Sequence, residues 1–217
     1  MWRRIPVYVG IWALSAAWAW QPDPAALRKL FEDALSRRQH DFGETDARTA
    51  QAARDLGLFL CRSADAASAR RAMTNAVHLD EKALGASAPQ TLEDVATLAS
   101  VSPPAEAEAL LRRAAESPDP MVAGPALTSA AAIRKAAGDS ASAAALLRRA
   151  VEKAEAVERD GPTVALILNL LAQVIPAKEA VPVLERALAI DRQKLGPTNP
   201  QTIQDARTLE RLRATVK

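Results

Sequence analysis

Arg186 to Thr202 reads RALAIDRQKLGPTNPQT, and the same spacing returns at Asn75 to Thr91 (NAVHLDEKALGASAPQT) and at Asp33 to Thr49 (DALSRRQHDFGETDART). Each stretch has an alanine at its second position, Phe or Leu followed by Gly eight residues later, and a threonine six residues after that glycine. Self-similarity at a fixed spacing is the mark of a chain built from stacked copies of one unit. Two near-identical strings, EALLRRAAE (Glu108 to Glu116) and AALLRRAVE (Ala144 to Glu152), fill the interval between the second and third copies. Anchored on the equivalent alanines Ala34, Ala76, Ala114, Ala150 and Ala187, the steps are 42, 38, 36 and 37 residues.

Seven residues before each anchor stands Leu27, Ala69, Ala107, Ala143 or Ala180, and three before it Phe31, Met73, Leu111, Leu147 or Leu184. Spacings of four and three put all three positions on one face of a helix. The small positions admit a neighbouring helix and the large one fills the groove between the two. A second apolar segment precedes each such helix: Ala50 to Leu60, Leu92 to Leu98, Val122 to Ala136 and Val164 to Val174. In two units a small residue stands twelve before the next helix's small position (Gly57 before Ala69, Ala131 before Ala143). In the other two it stands eight before (Ala99 before Ala107, Ala172 before Ala180). Prolines at 24, 118, 162 and 200 read as helix starts, and Pro103, Pro104 and Pro176 as breaks. Pro182 falls beyond the first turn of a helix beginning at Ala177, so that helix is expected to start late or bend. Gly124, Gly138 and Gly161 read as turns.

Composition agrees with an all-α chain. Of 217 residues 49% are hydrophobic and 4% aromatic, with 49 alanines, 14 prolines and 8 glycines. This favours short, closely packed helices with proline stops over strands. The net charge is +2, and without residues 1–19, which carry Arg3 and Arg4, the balance is 26 against 26. A neutral domain has no electrostatic footprint for nucleic acid. Cys61, the only cysteine, forms no intrachain disulfide and no cysteine-based zinc cage.

These strings resemble the tetratricopeptide repeats (TPR), in the 42-residue form typified by kinesin light chains, over roughly Leu27 to Leu212. The resemblance implies an all-α, TPR-like α-α solenoid, a right-handed superhelix of antiparallel helix pairs. About four pairs would be opened by an unpaired helix (Pro24 to Gln39) and closed by another (Gln201 to Ala214), within a repeat domain spanning 20–217. It also implies a scaffold that binds a peptide or protein, with the first helix of each pair lining the concave face. Carried over by position, that face presents Gln51, Arg54, Leu58 and Arg62 from the first pair and Glu93 from the second. Thr128 and Lys135 come from the third pair, Asn169 and Gln173 from the fourth. Arg54, Arg62 and Lys135 would grip a partner's carboxylates, and Asn169 and Gln173 its backbone. Replacing Arg54 and Arg62 together by alanine is then expected to weaken capture and leave the fold intact.

No enzyme is expected, and no cofactor or metal. Catalysis needs a convergent constellation, whereas His40 and His78 lie near the ends of second helices and Cys61 has no paired histidine. Every glycine after Gly10 has a place in a linker, a turn or a helix contact, which leaves no phosphate-binding loop. The neighbouring carboxylates Glu106 and Glu108, and Glu152 and Glu155, lie among arginines and lysines as a solvated ion-pair surface.

Met1 to Trp20 follows the plan of a secretory signal: Arg3 and Arg4, an uncharged run from Ile5, and Ala17-Trp18-Ala19 as the cleavage motif. Cleavage there starts the mature chain at Trp20, and the alanine- and arginine-rich composition suggests a bacterial source, so the expected location is periplasmic or extracellular. The alternative is a retained anchor in the inner membrane, with Trp12, Trp18 and Trp20 at the interface. Three kinds of interaction protein remain open: an exported peptide-groove scaffold, a membrane-anchored assembly or secretion factor, and a self-associating structural module.

Overall fold

The computed structural model describes residues 23–63 and 65–216, so the N-terminal segment read as a signal or anchor lies outside the described residues. The described residues form ten helices and no strand: α1 (Pro24–Phe42), α2 (Ala47–Cys61), α3 (Ala66–Ala83), α4 (Pro89–Ser100), α5 (Pro104–Ala114), α6 (Pro120–Ala136), α7 (Ser140–Val157), α8 (Pro162–Ala172), α9 (Ala177–Lys194) and α10 (Pro200–Val216). None of these helices is long and apolar enough to cross a membrane.

Local chemistry sets most helix starts. Asp23, Asp46, Asp65, Asp119 and Asp139 accept a hydrogen bond from a first-turn amide of α1, α2, α3, α6 and α7 respectively. Proline opens α1, α4, α5, α6 and α8, where its missing N–H removes no helical bond. The linker string closes one helix and opens the next. Gly196 takes φ 89°, a conformation that side chains beyond glycine rarely adopt, and so turns the chain at the end of α9. Two of the three linker threonines tie the following helix to the chain before it: Thr49 Oγ1 donates to the Arg38 carbonyl of α1 at 3.1 Å and Thr91 Oγ1 to the Gly85 carbonyl in the turn at 2.9 Å.

The small-large-small stripe is the packing surface. Ala69, Met73 and Ala76 on α3 are at most 1% exposed, and Ala107, Leu111, Ala114, Ala143, Leu147, Ala150, Ala180, Leu184 and Ala187 are likewise buried on α5, α7 and α9. Gly57 on α2 meets this stripe at closest range: a Cβ there would overlap Met73 Sδ and come within 3.2 Å of its Cγ. Packing runs almost entirely between consecutive helices, with α4 against α6 the strongest exception. The core is accordingly a continuous band from Ala50 to Ile190 rather than a central ball. This is the arrangement of a solenoid, in which each unit is stabilised by its neighbours.

Four local expectations need correction. Pro118 does not start a helix, since α6 begins at Pro120 with Asp119 as its cap. The helix containing Pro182 starts at Ala177 all the same: Pro176 supplies the extended residue before it, and the helix carries Pro182 in its interior. Gly124 is not in a turn but buried within α6, where a Cβ would lie 3.7 Å from Lys153 Cβ on α7. The opening helix continues past Gln39 to Phe42, stopped by Gly43.

Candidate functional site

Among the first helices the residues expected to face a partner divide into two groups. Arg54 is not a free cation. It is 8% exposed, and its Nη2 donates to Asp80 Oδ2 at 2.6 Å while its Nε donates to Asp94 Oδ2 at 2.9 Å. Its guanidinium thus joins α2, α3 and α4 through the core, and the reading of Arg54 as a group that grips a partner's carboxylate is corrected. Gln51 supports it from outside: its Oε1 accepts from Arg54 Nη1 at 2.7 Å and its Nε2 donates to Asp55 at 2.9 Å. Gln51 also lines a cleft of about 480 Å³ between α1 and α2, with Phe31, Arg38, Arg48 and Asp55. The side chains there are largely spent on one another, since Arg48 pairs with Asp46 at 2.8 Å and stacks 3.5 Å over the Phe42 ring. Arg62 is exposed just past the end of α2. Glu93 is exposed and accepts from Gln90.

Thr128, Lys135 and Gln173 come together. Thr128 Oγ1 donates to the Gly124 carbonyl, and Lys135 Nζ donates to Gln173 Oε1 at 2.6 Å, bridging the C-terminal ends of α6 and α8. Between these helices runs a trough in two adjoining parts that share Thr128. One part, of about 380 Å³, lies between Ala131, Ala132, Lys135 and Ala136 on one wall and Leu170 and Val174 on the other. The other, of about 420 Å³, is lined by Met121, Gly124 and Pro125 of α6, Val157 and Glu158 at the end of α7, and Thr163, Leu166 and Ile167 of α8. Three large aliphatic side chains stand open to solvent around this second part: Met121 is 65% exposed, Leu166 57% and Val157 54%. Asn169 points away from the trough, donating to Asp205 Oδ2 on α10 at 2.8 Å.

The trough is apolar for a reason visible in its walls. Residues 120–133 and 162–172 include no ionisable side chain, although 25% of the chain is charged. Gly124 and Pro125 keep the α6 wall low, and Leu166 stands on the opposite wall. Sequence reading missed Met121, Val157 and Leu166 because it sought polar groups for recognition. The signal was the run VALILNLLA from Val164 to Ala172, which holds more large aliphatic residues than one buried face uses.

Groups suited to other chemistry sit singly. Cys61 is half-buried, and burial pushes its thiol pKa up, away from the reactive thiolate. His40 and His78 are exposed. Among the described residues no cluster of three histidine, cysteine or acidic side chains has the arrangement to hold a metal ion. Glu106, Glu108 and Glu155 pair with Arg70, Arg134 and Arg186 across neighbouring units.

No protein-family model matches the chain, and no curated protein does. Among solved structures, BtubC (BKLC) from P. vanneervenii superposes with a TM-score of 0.68 over 87% of this chain and 81% of that one, at 18% identity. The fold is that of a TPR-like solenoid. A putative kinesin light chain from Podosopora anserina, with nearly identical TPR-like repeats, also matches, at TM-score 0.43 and 17% identity over 88% of this chain and 87% of that one. In TPR-like terms α2, α4, α6 and α8 are the first helices of four pairs, so the trough separates the first helices of the third and fourth. Solenoids of stacked repeats present extended concave surfaces.

Proposed function

We propose that this chain is an exported, non-catalytic TPR-like scaffold that holds an aliphatic stretch of a peptide or protein partner in the trough between α6 and α8. One observation carries the reading: Met121, Val157 and Leu166 converge, exposed, on a groove whose helical walls have no ionisable side chain over residues 120–133 and 162–172. An exposed apolar patch of this kind, rimmed by polar groups, marks an interaction surface. Lys135 and Gln173 at one end and Glu158 at the other supply the polar rim. From Met121 to Ala136 the α6 wall runs about 22 Å, room for six or seven residues of extended chain. Nucleic acid is not a partner in this reading, because the charge balance offers it nothing.

Export rests on the secretory plan of residues 1–20, and the location proposed is periplasmic or extracellular. N-terminal sequencing of the protein from its source checks this: a mature chain beginning at Trp20 supports it, and a chain that keeps Met1 and resists a carbonate wash supports the membrane-anchored alternative. Self-association through the chain ends has one observation in its favour, because α1 contains no buried residue and leaves Leu30 60% exposed. Size measured by light scattering against concentration tests that reading.

The groove itself is tested with a displayed library of random twelve-residue peptides. Selected peptides are expected to share aliphatic residues and to bind Leu166→Glu at least tenfold more weakly than the parent, since a carboxylate would be placed among apolar contacts. Equal binding to both proteins would remove the trough from consideration.

A further inference from the structure

Two copies of one arrangement stand near opposite ends of the solenoid. Asp80 and Asp191 follow the buried alanines Ala76 and Ala187 by four residues, and Asp94 and Asp205 follow Thr91 and Thr202 by three. All four aspartates are buried, at 0%, 3%, 2% and 5% exposure in that order. In the first copy one guanidinium reaches both carboxyls, which places them side by side between α3 and α4, and the equivalent positions place Asp191 beside Asp205 between α9 and α10. Two ionised carboxylates repel, and neither has a proton to donate, so such a contact holds one proton between them.

The copies differ in what faces them from the preceding first helix. Arg54, three residues before Gly57, spans Asp80 and Asp94. The corresponding position on α8, three residues before Ala172, is Asn169, which offers Asp205 a neutral N–H. Gln201 Nε2 donates to the other oxygen of Asp205 at 2.8 Å. We propose that the Asp191–Asp205 pair is a proton latch that docks the closing helix α10 onto α9, tight while the pair shares a proton and loosened once both carboxyls ionise.

Among the described residues the surroundings bring no side-chain cation into an ion pair with Asp191 or Asp205. Helix α8 has no ionisable residue. On α9, Arg186 is held by Glu155 and Lys194 by Glu158. Glu185, Arg192, Glu210 and Arg213 gather in a separate cleft between α9 and α10, where Arg213 pairs with Glu185 at 2.6 Å. Arg207, two residues beyond Asp205, is exposed, and no cation among the described residues forms an ion pair with either aspartate. The threonine at the start of α10 lacks the bond its counterparts make: Thr202 Oγ1 is buried without a partner, whereas Thr49 and Thr91 each bond a preceding carbonyl. What else holds α10 is the packing of Leu209, with Ala206 and Leu212 beside it, on Leu184 and Leu188, and the Arg213–Glu185 pair. Burial and the contact with Asp205 push the Asp191 carboxyl up to about 6. A raised carboxyl pKa makes the folded form the better proton binder, so docking weakens as pH rises through that value.

Hydrogen–deuterium exchange of the full chain at about pH 5 and about pH 7.5, corrected for the intrinsic change in rate, tests the latch. Peptides covering α10 are expected to lose roughly tenfold protection at the higher pH beyond any change in those of α6. Asp191→Asn, which bonds Asp205 without a shared proton, is expected to abolish the difference. Asn169→Arg, which installs the cation of the first copy, is expected to reduce it. Equal protection of α10 in the parent at both pH values, or the full tenfold loss persisting in either variant, overturns the proposal.

Discussion

Removing the guanidinium of Arg54 leaves Asp80 and Asp94 facing each other in the core with no cation in contact. Arg54→Ala is therefore expected to cost about 3 to 5 kcal/mol in urea or thermal unfolding, in contrast to the silent effect that a surface-facing arginine would show. The penalty carries a pH signature. Burial and the bond to Asp80 push the Asp94 carboxyl up to about 7, against the pull of Arg54. The folded chain binds that proton more tightly than the unfolded one, so this pair's contribution to stability is full below the ordinary aspartate range and falls as pH climbs toward 7. Urea midpoints of the parent across that interval are expected to decline, and a midpoint rising with pH would contradict the assignment. Gly57 gives the opposite kind of residue-scale test: Gly57→Leu would overfill the contact with Met73 and is expected to cost about 1 to 3 kcal/mol by thermal melting. The role of Gly57 was legible in the spacing to Ala69. The role of Arg54 was not, because nothing in its own helix marks it as buried. Its signal lay elsewhere, in Asp80 recurring as Asp191 on an otherwise apolar stripe, an acid that needs a partner wherever it is buried.

Helices in this chain are set by their ends, and interior flaws are tolerated where packing compensates. Pro182 has no N–H to give the Lys178 carbonyl, yet α9 runs unbroken from Ala177 to Lys194, with Ala180, Leu184 and Ala187 all buried. Tertiary burial of that stripe outweighs the local penalty for proline. Pro182→Ala is accordingly expected to raise the melting temperature, since it restores a helical bond without disturbing the buried face; a lower melting temperature would show that the proline ring itself packs. This is also why a late start for α9 did not materialise and Gly124 was taken for a turn: local propensity was readable, whereas the stripe that overrides it acts only between helices. The linker was legible for the complementary reason. Its Gly and Thr each answer a local need, a left-handed turn and a carbonyl to be bonded, within a few residues of chain.

Across the whole molecule, period and stripe together implied the solenoid, and the continuous core along consecutive helices is its physical expression. The working surface was harder to read. Which polar residues of the first helices are spent internally depends on contacts between units, as with Arg54 on Asp80 and Asn169 on Asp205. What remains after those contacts are counted is an apolar trough in a charged chain. The most direct test of that trough as the binding face is the exchange footprint of a library-selected peptide on the full-length protein. Protection is expected to concentrate on the α6 and α8 segments around Met121, Thr128 and Leu166. Protection confined to the outer faces of α3, α5, α7 and α9, with α6 and α8 unaffected, would contradict it.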